Sequence, residues 1–244
     1  ELLTTALIAA AMYALLLALA ALMPKILKLP KEQEGVYAVM TVFSNIGFMG
    51  IPLVSAIYGD GALLYVTVFI ILFNVLIYTY GVLRMRPRKE GAESDKLTAR
   101  KFVNPGVVAS LLAMTVYALR VPVPAIIATP IEYLGNLTAP LSMLALGASL
   151  AYVKIGSVFT DVRLMTFSAI KLLLVPIVIG LILKLFISGV LLGVCIIMTS
   201  APVASMTVMM AQQYGGDYKL FSKGVALTTL LCVATIPAVF AVIL

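Results

Sequence analysis

Long apolar runs, separated by short charged segments, recur along almost the whole sequence and constrain its fold more than any other feature. A helix of about 20 apolar residues crosses the hydrocarbon core of a membrane. Of the 244 residues, 63% are hydrophobic and 11% are charged, whereas about a quarter of the residues in a soluble domain are charged. A chain of this size cannot bury so much apolar surface within itself. The sequence therefore predicts an integral membrane protein.

Eight of these runs are long enough to be predicted as spanning helices. Their residues do not alternate between apolar and polar at period two, which is the pattern of membrane strands. The predicted fold class is therefore all-α, a polytopic helical membrane protein. The predicted helices are Leu2–Met23, Val36–Tyr58, Ala62–Leu83, Asn104–Leu119, Ala125–Tyr152, Leu164–Ile187, Gly189–Gln213 and Ser222–Leu244.

The basic residues indicate how these helices are oriented. Most of the 17 Lys and Arg residues lie in the loops after the first, third, fifth and seventh runs. Because cytoplasmic loops are enriched in these residues, both termini of this chain are predicted outside, and residues 85–103 are predicted to form a cytosolic linker. The predicted location is the cytoplasmic membrane of a bacterium or archaeon. The net charge of +7 is then a topology signal and no sign of nucleic-acid binding.

Several kinds of chemistry are excluded by residues that the sequence lacks. It contains no histidine and no C-x-x-C pair, and Cys195 and Cys232 both lie within apolar runs. Ordinary zinc sites and histidine-based catalysis are therefore excluded. Walker, H-E-x-x-H and G-x-S-x-G motifs are absent as well. Neither an enzyme nor a bound cofactor is predicted, and energy is expected from a gradient or from the membrane potential.

Two apolar runs contain helix-weakening residues, in the stretches SNIGFMGIPLVSAIYGD (Ser44–Asp60) and TSAPVASMTVMMAQQYGGD (Thr199–Asp217). An offset of 156 positions superimposes Ser44 on Ser200 and the Tyr-Gly pair of one stretch on that of the other. Helices one to three then correspond to helices six to eight, but they begin on the opposite side of the membrane. Inverted repeats with interrupted helices are typical of secondary transporters.

This repeat predicts the domain organisation. Residues 1–84 form the first repeat, with three helices and an interrupted helix over residues 36–58. Residues 104–244 form the second repeat, with five helices and an interrupted helix over residues 189–213. Because two helices precede the matching triplet only in the second repeat, the first repeat is expected to lack its first two helices. The complete bundle is expected to contain ten.

The two interruptions are the predicted substrate site. Non-helical backbone survives in the membrane only where protein or a water-filled cavity surrounds it, and the N-terminal ends of half-helices attract anions. Pro52 and Pro202 are predicted as the helix breakers. The candidate substrate-binding residues at the crossing are Asn45, Gly47, Phe48, Gly50, Pro52, Ser200, Pro202, Ser205 and Thr207, with Asn136, Ser142 and Lys171 as secondary candidates.

Each of these features also has a purely structural interpretation. A proline can merely kink a membrane helix, although two at equivalent places in a repeat favour a site. Lys171 is either the counter-ion of an anionic substrate or a lysine that extends to the interface or binds a carbonyl. Asn136 and Ser142 either face the cavity or belong to a small-residue surface that packs against neighbouring helices.

The stretch NIGFMGIP, with FVNPGVVASLLA and LTAPLSMLALGASL, resembles the auxin efflux carrier family. That family includes plant PIN-type carriers and bacterial transporters of malonate- or malate-like dicarboxylates. The resemblance implies a ten-helix bundle of two five-helix inverted repeats, similar to bile-acid symporters and Na+/H+ antiporters. It also implies that two broken helices cross at the substrate site, here Val36–Tyr58 with Asn45 and Pro52, and Gly189–Gln213 with Pro202.

The motifs and the resemblance together favour a secondary transporter or uniporter of small organic anions that works by alternating access. Two alternatives are a Na+-coupled organic-anion symporter and a membrane sensor that binds a metabolite or lipid in the same pocket without transport. The coupling ion, H+ or Na+, is left open, and so is a homodimer. The expected partners are the organic anion and the lipid bilayer.

Overall fold

The computed structural model describes residues 2–85, 108–109, 112–113, 115–116, 119–151 and 160–243, with only the backbone for residues 138–139, 142–143 and 145–151. The predicted helix Asn104–Leu119 and the predicted linker 85–103 lie largely outside these residues. The described part contains nine helices. They are α1 (Leu2–Ile26), α2 (Lys31–Val42), α3 (Ile46–Tyr58), α4 (Asp60–Met85), α5 (Ala125–Ala151), α6 (Val162–Lys184), α7 (Gly189–Ser200), α8 (Met206–Tyr214) and α9 (Tyr218–Ile243).

Four of these helices, α1, α4, α6 and α9, are long and apolar enough to cross a membrane. Each has 23 to 26 residues, more than the roughly 20 that a bilayer core requires. Many of their large apolar side chains are exposed, as expected where lipid covers the outer surface. The chain is therefore an all-α integral membrane protein.

The two runs that contain helix-weakening residues are each divided into two shorter helices. The predicted helix Val36–Tyr58 becomes α2 and α3, and the predicted helix Gly189–Gln213 becomes α7 and α8. The other predicted helices in the described part agree with α1, α4, α5, α6 and α9 to within a few residues. The interruptions thus occur in the two runs where the sequence predicts them.

Aromatic pairs hold the end of α2 in the core between α4 and α6. The Tyr37 ring on α2 meets the Phe167 ring on α6 edge to face, with centroids 5.2 Å apart. Phe43, directly after α2, meets Phe73 on α4 in the same arrangement at 5.3 Å. All four side chains are buried, and edge-to-face pairs of this kind stabilise a core beyond their area alone. The first interruption is therefore framed by neighbouring helices on both sides.

Close contacts group the helix ends at two opposite faces. At one face, Gly35 of α2 lies so close to the Arg84 carbonyl of α4 that a β-carbon would collide with it, and Gly216 lies close to the Met85 carbonyl. At the other face, the Lys184 amine of α6 donates to the carbonyl of Ile243. The first face holds the basic ends of α2, α4 and α9.

Three helices contain a π-helical turn, and all three turns lie near the interruption after α2. They are Ile46–Gly50 in α3, Ile77–Gly81 in α4 and Ile170–Leu174 in α6. Gly81 packs beside the Phe43 ring, and Lys171 reaches Ser44. Single π-turns inside α-helices are frequent at functional sites, which directs attention to residues 43–45.

Candidate functional site at the helix crossing

A proline causes the break between α7 and α8. Helix α7 ends at Ser200, and Ala201 is extended, with φ −60° and ψ 144°. The residue before a proline is driven out of the helical region by the proline ring, and Pro202 occupies that next position. Pro202 is therefore the helix breaker that the sequence predicts.

Pro52 does not break the other run, so that part of the sequence prediction is wrong. The run leaves the helical conformation at residues 43–45, well before Pro52. Pro52 is the second residue of the regular part of α3, Ile51–Tyr58, where the lack of an N–H costs little. The π-turn before it already departs from the α-helical bonding pattern. A local proline rule therefore does not explain this interruption.

The two interruptions meet and pair with each other. Ser44 and Val203 form an isolated antiparallel bridge. The Asn45 N–H donates to the Pro202 carbonyl at 2.7 Å, and the Ala204 N–H donates to the Phe43 carbonyl at 3.0 Å. Backbone groups freed by one break are thereby satisfied by the other, which is what non-helical backbone within a membrane requires.

The pairing of the two interruptions does not follow from the internal repeat. The 156-residue offset makes Ser44 equivalent to Ser200, whereas Ser44 pairs with Val203. At the far ends of α3 and α8 the offset holds, since Gly59 and Gly215 follow the two helices with φ 77° and 78°. At the helix starts it does not hold, because α3 begins with a π-turn at Ile46 and α8 begins only at Met206.

Lys171 anchors the first interruption from α6. Its side chain is fully buried, and its Nζ donates to the Thr41 carbonyl at 2.8 Å and to the Ser44 Oγ at 2.7 Å. The Thr41 carbonyl belongs to the last turn of α2, where the helix dipole attracts a cation. Of the arrangements considered for Lys171, the structure places it in the one where it binds a carbonyl.

A cavity of about 640 Å³ opens beside the crossing, within the size range of small-molecule pockets. One wall comes from the first interruption, α3 and α4, and the opposite wall comes from α5 and the start of α8. Its lining residues are Ser44, Asn45, Ile46, Gly47, Phe48, Ile51, Pro52, Ile70, Phe73, Asn74, Gly135, Asn136, Ala204 and Met206. The cavity therefore lies between the two predicted repeats.

Hydrogen-bond donors without a partner are found among the residues that line this cavity. Within the described residues, the N–H groups of Gly47, Phe48 and Met206 make no hydrogen bond, and all three residues line the cavity. They belong to the first turns of α3 and α8, where the helix dipole is positive. The Asn45 side chain, 6% exposed, also lines the cavity, and no hydrogen bond joins it to the described residues. Such an arrangement can bind an anion.

The structure separates the predicted site residues into two groups. Five line the cavity, namely Asn45, Gly47, Phe48, Pro52 and Asn136. Six others surround the crossing without lining it, namely Gly50, Lys171, Ser200, Pro202, Ser205 and Thr207. The side chain of Ser142 lies outside the described residues.

The buried group supports the crossing in different ways. Gly50 packs against the methyl group of Met198, and the Thr207 hydroxyl donates to the Ala204 carbonyl at 2.6 Å. The hydroxyls of Ser200 and Ser205 are buried and have no partner among the described residues. These residues shape the second interruption from behind the cavity.

Asn74 lines the cavity and was missed by the sequence analysis. It is the one amide in the apolar stretch FIILFNVLIY of α4. A polar side chain at the centre of a spanning helix is a functional candidate on that ground alone, so a signal was present. Its apolar neighbours Ile70 and Phe73 gave no signal, because their contribution to the cavity depends on the tertiary packing.

Spanning helices packed around two interrupted helices that cross beside a cavity define a helical membrane transport protein. The family model described as "Membrane transport protein" matches residues 1–240. The chain therefore belongs to this family of transporters, the one that the resemblance to auxin efflux carriers indicates.

Two archaeal proteins are similar to this chain over most of its length. An uncharacterized transporter of Methanocaldococcus jannaschii is 25% identical over 210 residues, which are 84% of this chain and 67% of that protein. An uncharacterized transporter of Methanothermobacter thermautotrophicus is 25% identical over 200 residues, 82% of this chain and 65% of that protein. The chain thus spans about two thirds of the length of these relatives.

Proposed function

We propose that this chain forms the substrate-translocating core of a secondary transporter or uniporter of small organic anions. The observation that carries the proposal is the cavity at the crossing, whose lining includes residues with unbonded N–H groups at the starts of two half-helices and the Asn45 carboxamide. The family membership supports transport as the activity. The cavity supplies the argument for the substrate class.

The chemistry of the lining favours a carboxylate attached to a small apolar skeleton. No acidic side chain is among the residues that line the cavity in the described part, so nothing there repels an anion. The Asn45 and Asn74 amides and the Gly47 N–H can donate to carboxylate oxygens. The side chains of Phe48 and Phe73 provide an apolar wall for the rest of the molecule. Mono- and dicarboxylates combine these two kinds of surface.

The position of the cavity fits alternating access. In our proposal residues 1–84 and 104–244 are two inverted repeats of a ten-helix bundle, joined by the cytosolic linker 85–103. The cavity walls come from both repeats, α3 and α4 on one side and α5 and α8 on the other. Rocking or sliding of one repeat against the other would therefore expose the same anion first to one side of the membrane and then to the other.

Uptake into proteoliposomes tests the function. The full-length protein is reconstituted, and accumulation of radiolabelled malonate and indole-3-acetate is measured against the neutral diamide of malonate. Anion uptake that saturates, and is absent from empty liposomes, is the expected result. Binding of either anion without flux would instead support a sensor, and binding of neither would overturn the proposal.

Imposed gradients in the same vesicles identify the coupling ion. Replacing external Na+ by K+ at constant pH separates a Na+-coupled symporter from the other mechanisms. With the membrane potential held at zero, a pH gradient at constant Na+ separates proton coupling from uniport, since only a coupled carrier then accumulates the anion above its external concentration. Uniport is expected to respond to the membrane potential alone, because it moves net charge.

A further inference from the structure

The Lys171 ammonium is a buried cation without an acidic partner in the described part of the chain. The acidic residues there lie in first turns or caps of helices or on the exposed surface, and none pairs with it. They are Glu32, Glu34, Asp60, Glu132, Asp161 and Asp217. Removing a charge from water is costly, and that cost is normally offset by an opposite charge. An anion bound close to Lys171 would supply this compensation and favour its charged form.

The contacts of Lys171 offset only part of its charge. The Thr41 carbonyl carries the partial negative charge of the C-terminal end of α2. The Ser44 hydroxyl oxygen is a neutral acceptor. Both contacts satisfy N–H donors, but together they supply less than one unit of negative charge.

Ser44 connects this cation to the cavity. Its Oγ accepts from the Lys171 Nζ, so the hydroxyl hydrogen remains available for donation. Ser44 also lines the 640 Å³ cavity next to Asn45, whereas Lys171 does not. A hydroxyl that accepts from an ammonium becomes a stronger donor, because hydrogen bonds in a chain polarise one another.

We propose that Ser44 binds the carboxylate of the transported anion and carries the positive charge of Lys171 to it, in a Lys171–Ser44–carboxylate chain. This inference rests on the proposed function and names the contact that makes the site selective for negative charge. The ammonium stays outside the cavity and acts as a positioning group for Ser44. The anion is attracted without a direct buried ion pair, so it can also leave, as a transporter requires.

Equilibrium binding of radiolabelled malonate to the purified full-length protein tests the chain of contacts. Ser44→Ala removes the donor, and we expect about a tenfold to hundredfold loss of affinity, the usual value of a hydrogen bond to a charged group. Ser44→Thr retains the hydroxyl and is expected to bind within about threefold of the wild type. Recovery in Ser44→Thr distinguishes anion binding from a general need for a small residue.

A double-mutant cycle tests whether Lys171 acts through Ser44. Lys171→Met alone should weaken malonate binding about as much as Ser44→Ala, and the double variant should be no weaker than either, because each breaks the same chain. Additive losses would show that Lys171 acts independently and would overturn the connection. Unchanged binding by Ser44→Ala would overturn the contact itself.

Matched controls come from α6. Ser168→Ala removes a buried hydroxyl that bonds only the Leu164 carbonyl of its own helix, and Lys184→Met removes a lysine that binds the Ile243 carbonyl far from the cavity. Both should leave malonate affinity unchanged. If Lys171→Met does not fold, the Ser44→Ala and Ser44→Thr pair decides the proposal. Absence of anion binding by the wild type would overturn the proposed function, whereas wild-type binding with an indifferent Ser44→Ala overturns this inference alone.

Discussion

Between α7 and α8 the break has a local cause, because Pro202 holds Ala201 extended. Between α2 and α3 no proline directly follows residues 43–45. The extended backbone there depends on the hydrogen bonds to the second interruption and on Lys171. The cavity lining is unequal as well. Residues 44–48, at the first interruption and the start of α3, line the cavity, but only Ala204 and Met206 do so at the second interruption and the start of α8. In our proposal, the second interruption therefore holds the crossing in place and the first provides most of the binding surface.

The sharpest way to break this comparison is to change one cavity-lining residue on each side of the crossing. Asn45→Asp puts a carboxylate of nearly the same shape into the cavity, and repulsion of an anion in a partly buried site should reduce malonate uptake by about a hundredfold or more. Ala204→Ser at the second interruption should leave uptake within about threefold. Malonate uptake into proteoliposomes measures both variants. Equal losses of uptake would contradict the unequal contribution of the two interruptions to the cavity.

Substitutions that affect the second interruption are expected to act mainly on the stability of the protein. The Val203 N–H donates to the Thr228 hydroxyl at 3.1 Å, so Thr228→Val leaves a buried N–H unpaired and should cost about 1–3 kcal/mol of stability. Thr235→Val on the same helix removes a buried hydroxyl that has no partner among the described residues, and it should be neutral or stabilising. Thermal unfolding in detergent compares the two. Destabilisation by Thr235→Val would contradict the expected hydrogen bonding.

The two prolines should behave differently. Pro202→Ala releases the conformational restriction on Ala201 and should destabilise the protein by about 1 kcal/mol, with faster hydrogen exchange at residues 201–205. Pro52→Ala lies in a helical turn that tolerates either residue, so its stability should change by no more than about 0.5 kcal/mol. Mass-spectrometric hydrogen exchange checks both. Equal exchange in the two variants would show that Pro202 is not what opens the second break.

The smallest expected effects concern two glycines of α3. A β-carbon at Gly47 meets no atom within 4 Å, whereas one at Gly50 would stand 2.7 Å from the Met198 methyl carbon. Gly47→Ala should therefore fold normally and change malonate affinity about threefold, since Gly47 lines the cavity. Gly50→Ala should leave affinity unchanged and cost about 1 kcal/mol in stability. The reverse pattern, in which Gly50→Ala changes affinity and Gly47→Ala lowers stability, would contradict the placement of Gly47 at the cavity and of Gly50 against Met198.

Much of the architecture could be predicted from the sequence, because it depends on properties that are local in the chain. Run length predicts α1, α4, α6 and α9, and Pro202 predicts the second break. The pairing of Ser44 with Val203 could not be predicted, because the repeat relates equivalent positions and does not specify which residues come into contact. The partners of Lys171 and the false role of Pro52 likewise depend on contacts between segments far apart in the sequence.

Which candidate residues line the cavity could be predicted only in part. Asn45, Gly47 and Phe48 line the cavity as expected, since the half-helix they begin must face something polar. Ser200, Ser205 and Thr207 do not line it, because a position in a repeat does not specify which side of a helix end faces a cavity. Asn74 could have been identified from the sequence, because a lone amide in a spanning helix is a functional candidate.

The antiparallel bridge at the centre of the molecule consists of just two backbone hydrogen bonds, from Asn45 and Ala204. Each contributes on the order of 1 kcal/mol net, and a tenfold concentration difference is worth about 1.4 kcal/mol. A conformational step that opened this bridge would cost about 2 kcal/mol, comparable to the free energy of a roughly thirtyfold concentration gradient, and this cost would be recovered when the bridge re-formed. The bridge is therefore weak enough for ordinary cellular gradients to open it.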